Sequence, residues 1–224
     1  MTLTAPKSAK TQSRGKVSAP VEVRMADLRR RLLDVARDQY MRLGFNAVTM
    51  DETAAAAGIS KKTLYQHFSS KEALLQAVAE ESMANCNEAL RAILLDASTK
   101  PVVRMRRMMD YVAGIYSEMS MALVHDMQRQ APEIWQKIEE SRQRSIAGDF
   151  STLLHEGRVK GDFRKDIDTP VFLLIYAEVV RHVLNPSAFA HLKIAPTRVF
   201  EMVCKVLFEG LLTEKARKEY HEKT

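Results

Sequence analysis

The chain has 224 residues, 46% of them hydrophobic and 28% charged, enough apolar material to bury one small core and one larger one. No apolar run reaches the ~18–20 residues that cross a bilayer and no apolar leader opens the chain, so the composition argues against a membrane-spanning or secreted protein and for a cytoplasmic one. The net charge of +6 is uneven: residues 1–75 hold 13 Lys and Arg against 7 Asp and Glu, whereas residues 76–224 hold 21 of each, so the whole excess lies in the first third, as attraction to phosphates requires.

Residues 1–23 are rich in Ser, Thr, Ala, Pro and Lys and nearly free of large apolar groups. They are expected to form a disordered basic arm, either lying along DNA or solubilising the chain. A small domain is predicted over residues 24–85, and its most informative stretch is 49–71. Thr49 opens a Thr-x-x-Glu capping box with Glu52, and Asp51 and Glu52 suit the positive end of a helix. The alanine run Ala54–Ala57 favours helix and leaves room for a second helix to cross closely. Gly58 stops the first helix, because glycine takes the left-handed conformation at little cost. Ser60 caps a short helix from Lys61 to about Gln66, anchored by Ile59 and Leu64. Ser69-x-x-Glu72 reads as a second capping box, opening a long helix through Leu74 and Val78 to about Leu95. Two short helices around a glycine turn, followed at once by a third, make a helix-turn-helix.

The exposed face of the middle helix is predicted to carry Ser60, Lys61, Thr63, Tyr65 and His67, the hydroxyls, cation and flat polar rings that contact phosphates and base edges. With Thr49, Lys62 and Lys71 these form the candidate DNA-contacting set. Lys71 stands in the first turn of the third helix, a place cations mildly avoid, which a nearby phosphate would explain.

A larger all-helical domain is predicted over residues 86–214, ending in a charged tail at 215–224. Pro101 opens a helix carrying Val102, Met105, Met109, Val112 and Ile115. A shorter segment follows near Ala122–Arg129, and Ala131-Pro132 punctuates. A long helix then runs from Glu133 to about Glu156, with Gly157 and Gly161 marking a turn that Phe163 plugs. The segments Val171–Leu184 and Val199–Leu212 are apolar nearly all round, which demands cover on more than one side. They are either central core helices or a two-fold dimer interface. No segment alternates like a strand, so the fold class is all-α.

Six methionines between Met105 and Met127 lie close to Tyr111, Tyr116, His125 and Trp135. Methionine is flexible and polarisable, so the cluster suits a cavity for a partly apolar small molecule, although it equally makes ordinary core filling. The candidate ligand-binding set is Met105, Met109, Tyr111, Tyr116, Met119, His125, Trp135 and Phe150. Cys86 and Cys204 show neither CxxC nor metal spacing, and His125, His155 and His182 show no paired ligand spacing. No nucleophile elbow or phosphate loop is present. No cofactor, metal or enzymatic activity is expected.

From about Ala26 to Asn85 the chain resembles the DNA-binding domain of the tetracycline-repressor (TetR) family. The resemblance is carried by Leu32, Ala36, Tyr40, Gly44-Phe45, Thr49, Ala54, Ala57-Gly58-Ile59-Ser60, Thr63-Leu64-Tyr65-Gln66-His67-Phe68 and Lys71-Glu72-Ala73-Leu74. Thr53 and Lys62 depart from that pattern, standing where an apolar residue and a glycine are frequent. The resemblance implies a homodimer reading DNA through Ser60–Gln66. It also implies a regulator, more often a repressor, released from a palindromic operator by a small-molecule effector. A regulator that activates, or that needs its ligand to bind DNA, carries the same sequence signature; a ligand-independent DNA-organising protein is an alternative of a different class, against which the methionine-aromatic cluster argues mildly.

Overall fold

The computed structural model describes residues 21–183, 194 and 196–221. Residues 1–20 of the predicted arm, Leu184 and residues 222–224 of the predicted tail lie outside them. The described helices are α1 (Val21–Leu43), α2 (Met50–Ala56), α3 (Lys61–His67), α4 (Lys71–Leu94), α5 (Pro101–Glu118), α6 (Met121–Gln130), α7 (Pro132–Ser145), α8 (Ser151–Lys160), α9 (Thr169–Val183), α10 (Pro196–Leu211) and α11 (Glu214–His221). An isolated bridge between Phe163 and Leu212 is the only β contact among the described residues. The chain is all-α.

Two apolar cores organise these helices. The first gathers Leu32, Ala36, Tyr40, Phe45, Leu64, Phe68, Leu74 and Leu75 from α1 to the start of α4. The second gathers Val102, Met105, Phe150, Leu153, Phe172, Tyr176, Phe200 and Phe208 from α5 to α10. Helix α4 serves both, entering the first core with Leu74 and Val78 and the second with Leu94. Helix α6 crosses the boundary predicted from sequence, because its Leu123 and Met127 are buried in the first core.

The local rules that shape residues 49–71 are met in detail. The Thr49 hydroxyl accepts from the Glu52 amide, and the Glu52 carboxylate accepts from the Thr49 amide at 2.8 Å. After α2, Gly58 takes φ +67°, the Gly58 amide donates to the Ala55 carbonyl and the Ile59 amide to the Ala54 carbonyl, which is the Schellman closure. The cap of α4 is Ser70, not Ser69: the Ser70 hydroxyl accepts from the Ala73 amide at 3.1 Å. The two serines are adjacent, and Ser70, which directly precedes Lys71, has the extended backbone that a cap requires. Thr53, fully buried where an apolar residue is frequent, donates its hydroxyl to Gln39 Oε1 at 2.7 Å.

Three segments differ from expectation. The helix predicted over 133–156 begins at Pro132, passes through a π-helical turn at Ile146–Phe150 and continues to Lys160. Gly157 therefore lies inside α8, and Gly161 alone closes it in the left-handed conformation. Residues 21–23, assigned to the arm, already belong to α1. Residues 215–221, read as a charged tail, form most of α11, which buries Ala216 and lays Tyr220 on the second core.

One buried charge ties the second core to its rim. Arg104 is 2% exposed, donates through Nη1 to the Leu94 carbonyl at 2.8 Å and forms an ion pair with Glu156. Hydrogen bonds from Arg104 and Lys160 hold the Glu156 carboxyl below its usual range.

Candidate functional site

Helix α3 is held against α2 and α4 by the buried Leu64, with Ile59 packed alongside, so its opposite face points to solvent. Along that face Ser60, Lys61, Lys62, Tyr65 and Gln66 are exposed, while Thr63 and His67 are half-buried. The candidate side chains divide by what already holds them. The Ser60 hydroxyl accepts from the Thr63 amide at 3.1 Å, and the two hydroxyls share a hydrogen bond of 2.8 Å. The Thr49 hydroxyl donates to Glu52 at 2.8 Å, so its proton is committed to the helix cap. Lys61 pairs with Asp51 at 2.8 Å, and that hydrogen bond and charge raise its pKa. Exposed pairs of this kind are screened by water and hold weakly, so Lys61 can exchange Asp51 for a phosphate.

Lys62, Tyr65 and Gln66 enter none of these bonds. Tyr65 is 44% exposed, a large ring turned outward without an apolar neighbour to explain it. Gln66 was absent from the predicted contact face. Its signal was its place one residue after Tyr65 on a helix whose buried side is fixed by Leu64.

Lys71 is placed differently from the sequence expectation. Its ammonium lies 4.3 Å from the centre of the Phe45 ring and donates to the Asn46 carbonyl at 3.4 Å. Burial lowers its pKa, against the raising effect of Glu72. The lysine in the first turn thus has an internal explanation, a cation over an aromatic face.

The loop between α1 and α2 is also gripped from α6. Asp126, 7% exposed, accepts from the Asn46 amide at 2.8 Å and from Asn46 Nδ2 at 2.7 Å. The Ser120 amide donates to the Met41 carbonyl at 2.7 Å. Gly44, at φ +86°, brings the backbone so close that a Cβ there would meet the Ala122 Cβ at 2.8 Å. These contacts join the helix-turn-helix to the larger helical body, and no sequence pattern pointed to them.

Inside that body a cavity of about 1160 Å³ lies between α1, α4, α5, α6, α7 and α9. Five of the eight predicted ligand-binding residues line it: Tyr111, Tyr116, Met119, Trp135 and Phe150. Three do not. Met105 is fully buried in the second core, and Met109 faces a smaller cleft beside Phe200 and Cys204. His125 is exposed on α6, because Leu123, Val124 and Met127 take the inward positions of that helix. The wall also includes Met108 and Met127 of the methionine cluster, together with Leu90, Arg142, Tyr176 and Val180, which the sequence did not assign to a cavity. Burial raises the Cys86 thiol pKa, with Arg142 and a Tyr111 hydrogen bond acting the other way. No group of three metal-ligating side chains occurs among the described residues. No helix among them is long and apolar enough to cross a membrane.

Comparison with known proteins matches residues 32–78 to the model of bacterial regulatory proteins of the tetR family. The HTH-type transcriptional regulator YvaF of Bacillus subtilis is 25% identical over 167 residues, covering 75% of this chain and 87% of that protein. The HTH-type transcriptional repressor KstR2 of Mycolicibacterium smegmatis is 27% identical over 146 residues, 64% of this chain and 71% of that one. Shorter matches to other curated HTH-type regulators span between 30% and 43% of those proteins. Among solved structures, a TetR-family regulator from Mesorhizobium loti superposes with a TM-score of 0.60 at 16% identity, over 85% of this chain and 99% of that one. That likeness establishes the fold.

Proposed function

Since the chain belongs to the TetR family of bacterial regulatory proteins, we propose that it is a dimeric repressor that leaves a palindromic operator when a small molecule fills its cavity. The observation that carries the reading is the outward face of α3. Lys62, Tyr65 and Gln66 stand free on a short helix that is itself fixed by Leu64 and the Ser60 cap. A protruding helix with free polar side chains fits a major groove, where base edges are read. Phosphate contacts fall to Lys61 and to the amides at the start of α3.

A dimer is supported by α9 and α10. Val171, Leu174 and Ile175 on one and Met202 and Val206 on the other are all exposed, at 45–68%. Such a stripe on two packed helices is what a four-helix interface across a two-fold axis covers. Two reading helices related by that axis meet half-sites about 34–36 Å apart.

Release is supported by the position of α6. Leu123 and Met127 line the cavity, and Asp126 between them holds Asn46 in front of α2. A ligand that needs α6 displaced would disfavour the arrangement of α1–α3 seen here, and a few kcal/mol of differential affinity empties an operator. The name of KstR2 as a repressor agrees with this direction.

Selection of the purified protein from a random duplex library at two salt concentrations tests the reading. One enriched palindrome, lost with Tyr65→Ala while the dimer persists, is the expected result. Salt-sensitive binding without an enriched motif would instead mean a DNA-organising protein that recognises phosphates alone.

A further inference from the structure

The cavity wall is largely apolar, with polar side chains at Ser82, Asn85, Asn87 and Ser141 and a largely buried charge at Arg142. Of the charged side chains that line it, Asp38, Arg42, Asp110 and Glu118 are solvent-exposed, and Arg37 is 40% exposed beside Asp34 and Asp38. Arg142 on α7 is different, with a side chain only 21% exposed. Its Nη1 donates to Glu139 at 2.7 Å, and Glu139 is not part of the wall. Nε and Nη2 of Arg142 have no protein acceptor among the described residues.

Two buried phenols share that wall. Tyr116 is 9% exposed and Tyr176 4%, and neither hydroxyl has a hydrogen-bond partner among the described residues. Burial raises the pKa of both, and the positive charge of Arg142 works against that rise. A guanidinium edge and two phenols therefore line one pocket as unused donors, which also has an apolar wall of Met108, Met119, Met127, Trp135 and Phe150. Donors of this kind lose their water when an apolar molecule fills the space around them, and each left unpaired is costly. A planar oxyanion is the ligand group that satisfies them, since a guanidinium grips two of its oxygens in parallel. Glu139 offsets the charge of Arg142 but occupies only one of its donors.

We propose that the cavity is built for an amphipathic anion: an apolar body against the methionine and aromatic wall, and one carboxylate-type head on Arg142, Tyr116 and Tyr176. This deepens the effector reading above and rests on it. A neutral or cationic molecule of the same shape leaves the donors unpaired.

Trp135 is the single tryptophan of the chain and lines the cavity, so its fluorescence reports occupancy without DNA. Decanoate, decanol and decyltrimethylammonium, each kept below its micelle concentration, are titrated into the full-length protein. Decanoate should bind at least about tenfold more tightly than the other two, and Arg142→Gln should weaken decanoate about tenfold or more while leaving decanol unchanged. If that variant does not fold, the Tyr116→Phe, Tyr176→Phe double variant carries the same test, because it removes donors without opening space. Equal binding of the alcohol, an undiminished decanoate affinity in the variants, or no response to decanoate overturns the proposal. Parallel operator binding separates the two readings. Decanoate that occupies the cavity without changing operator affinity sinks the release mechanism and leaves the anion site. Decanol that releases the operator does the reverse.

Discussion

Asp126→Ala should separate the helical body from the loop that precedes the helix-turn-helix. Both oxygens of Asp126 are engaged by Asn46, at 2.8 Å from the backbone amide and 2.7 Å from the side chain. Hydrogen bonds to a charged acceptor contribute about 1.5–3 kcal/mol each when buried. Asn46 is exposed, so water replaces part of what is lost, and each bond falls to about 1 kcal/mol, the usual net value of a hydrogen bond. The expected loss is about 2 kcal/mol, which for a chain of this size lowers the melting temperature by about 4–8 °C. Asn46→Ala removes only the side-chain bond and should cost about half as much, near 1 kcal/mol. Urea unfolding of the two single variants and the double variant closes the cycle, with an expected coupling of about 1 kcal/mol. A stability within 0.5 kcal/mol of wild type for Asp126→Ala would refute the reasoning, as would zero coupling between the two sites.

Other consequences follow from packing and burial. Gly44→Ala places a Cβ 2.8 Å from that of Ala122 at a φ of +86°, and should destabilise by more than about 2 kcal/mol in the same urea assay. Val206→Glu, at a residue 68% exposed on α10, should leave the fold intact by circular dichroism and convert a dimer to a monomer by light scattering. Burial pushes the Cys204 thiol up to about 12, so at pH 8 it should react with a disulfide reagent only on unfolding. The unfolded thiol titrates near ~8.5, so the folded chain holds the extra proton above that pH. Stability is therefore full below it and falls as pH rises from there towards 12, and Cys204→Ala should flatten that decline in urea midpoints.

The helix-turn-helix was legible because its determinants are local. The Thr49–Glu52 box, the Gly58 closure and the Ser60 cap each span at most six residues, and each appears in the structure as the spacing requires. The miss at Ser69 is of the same kind: two neighbouring serines offer the same hydroxyl, and only backbone conformation selects Ser70. The cavity was legible only in part because its wall joins Arg37 on α1 to Val180 on α9. Composition marked the methionine-rich stretch, but which methionine faces inward depends on how α5 rolls against α8, α10 and α11. Met108 and Met119 line the cavity, whereas Met105 and Met109, on the same helix as Met108 and in the same core, do not reach it. Arg142 carried no sequence signal at all, since an arginine near the end of a polar helix is ordinarily solvated.

The contact that sequence could not foresee is also the one that makes a single system of two cores. Leu123 and Met127 belong to the core that supports α3, and the same side chains form part of the cavity wall. Between them Asp126 turns the other way, onto Asn46. The buried side of this ten-residue helix therefore serves both regions. Close-packed interiors do not deform smoothly, so a shift of α6 must repack the first core or break its hold on the loop. Local caps hold α3 rigid, and under the proposed release mechanism α6 would make its position depend on what the cavity holds. The rigidity is written in neighbouring residues, while the dependence is written in residues 80 apart, Asn46 and Asp126.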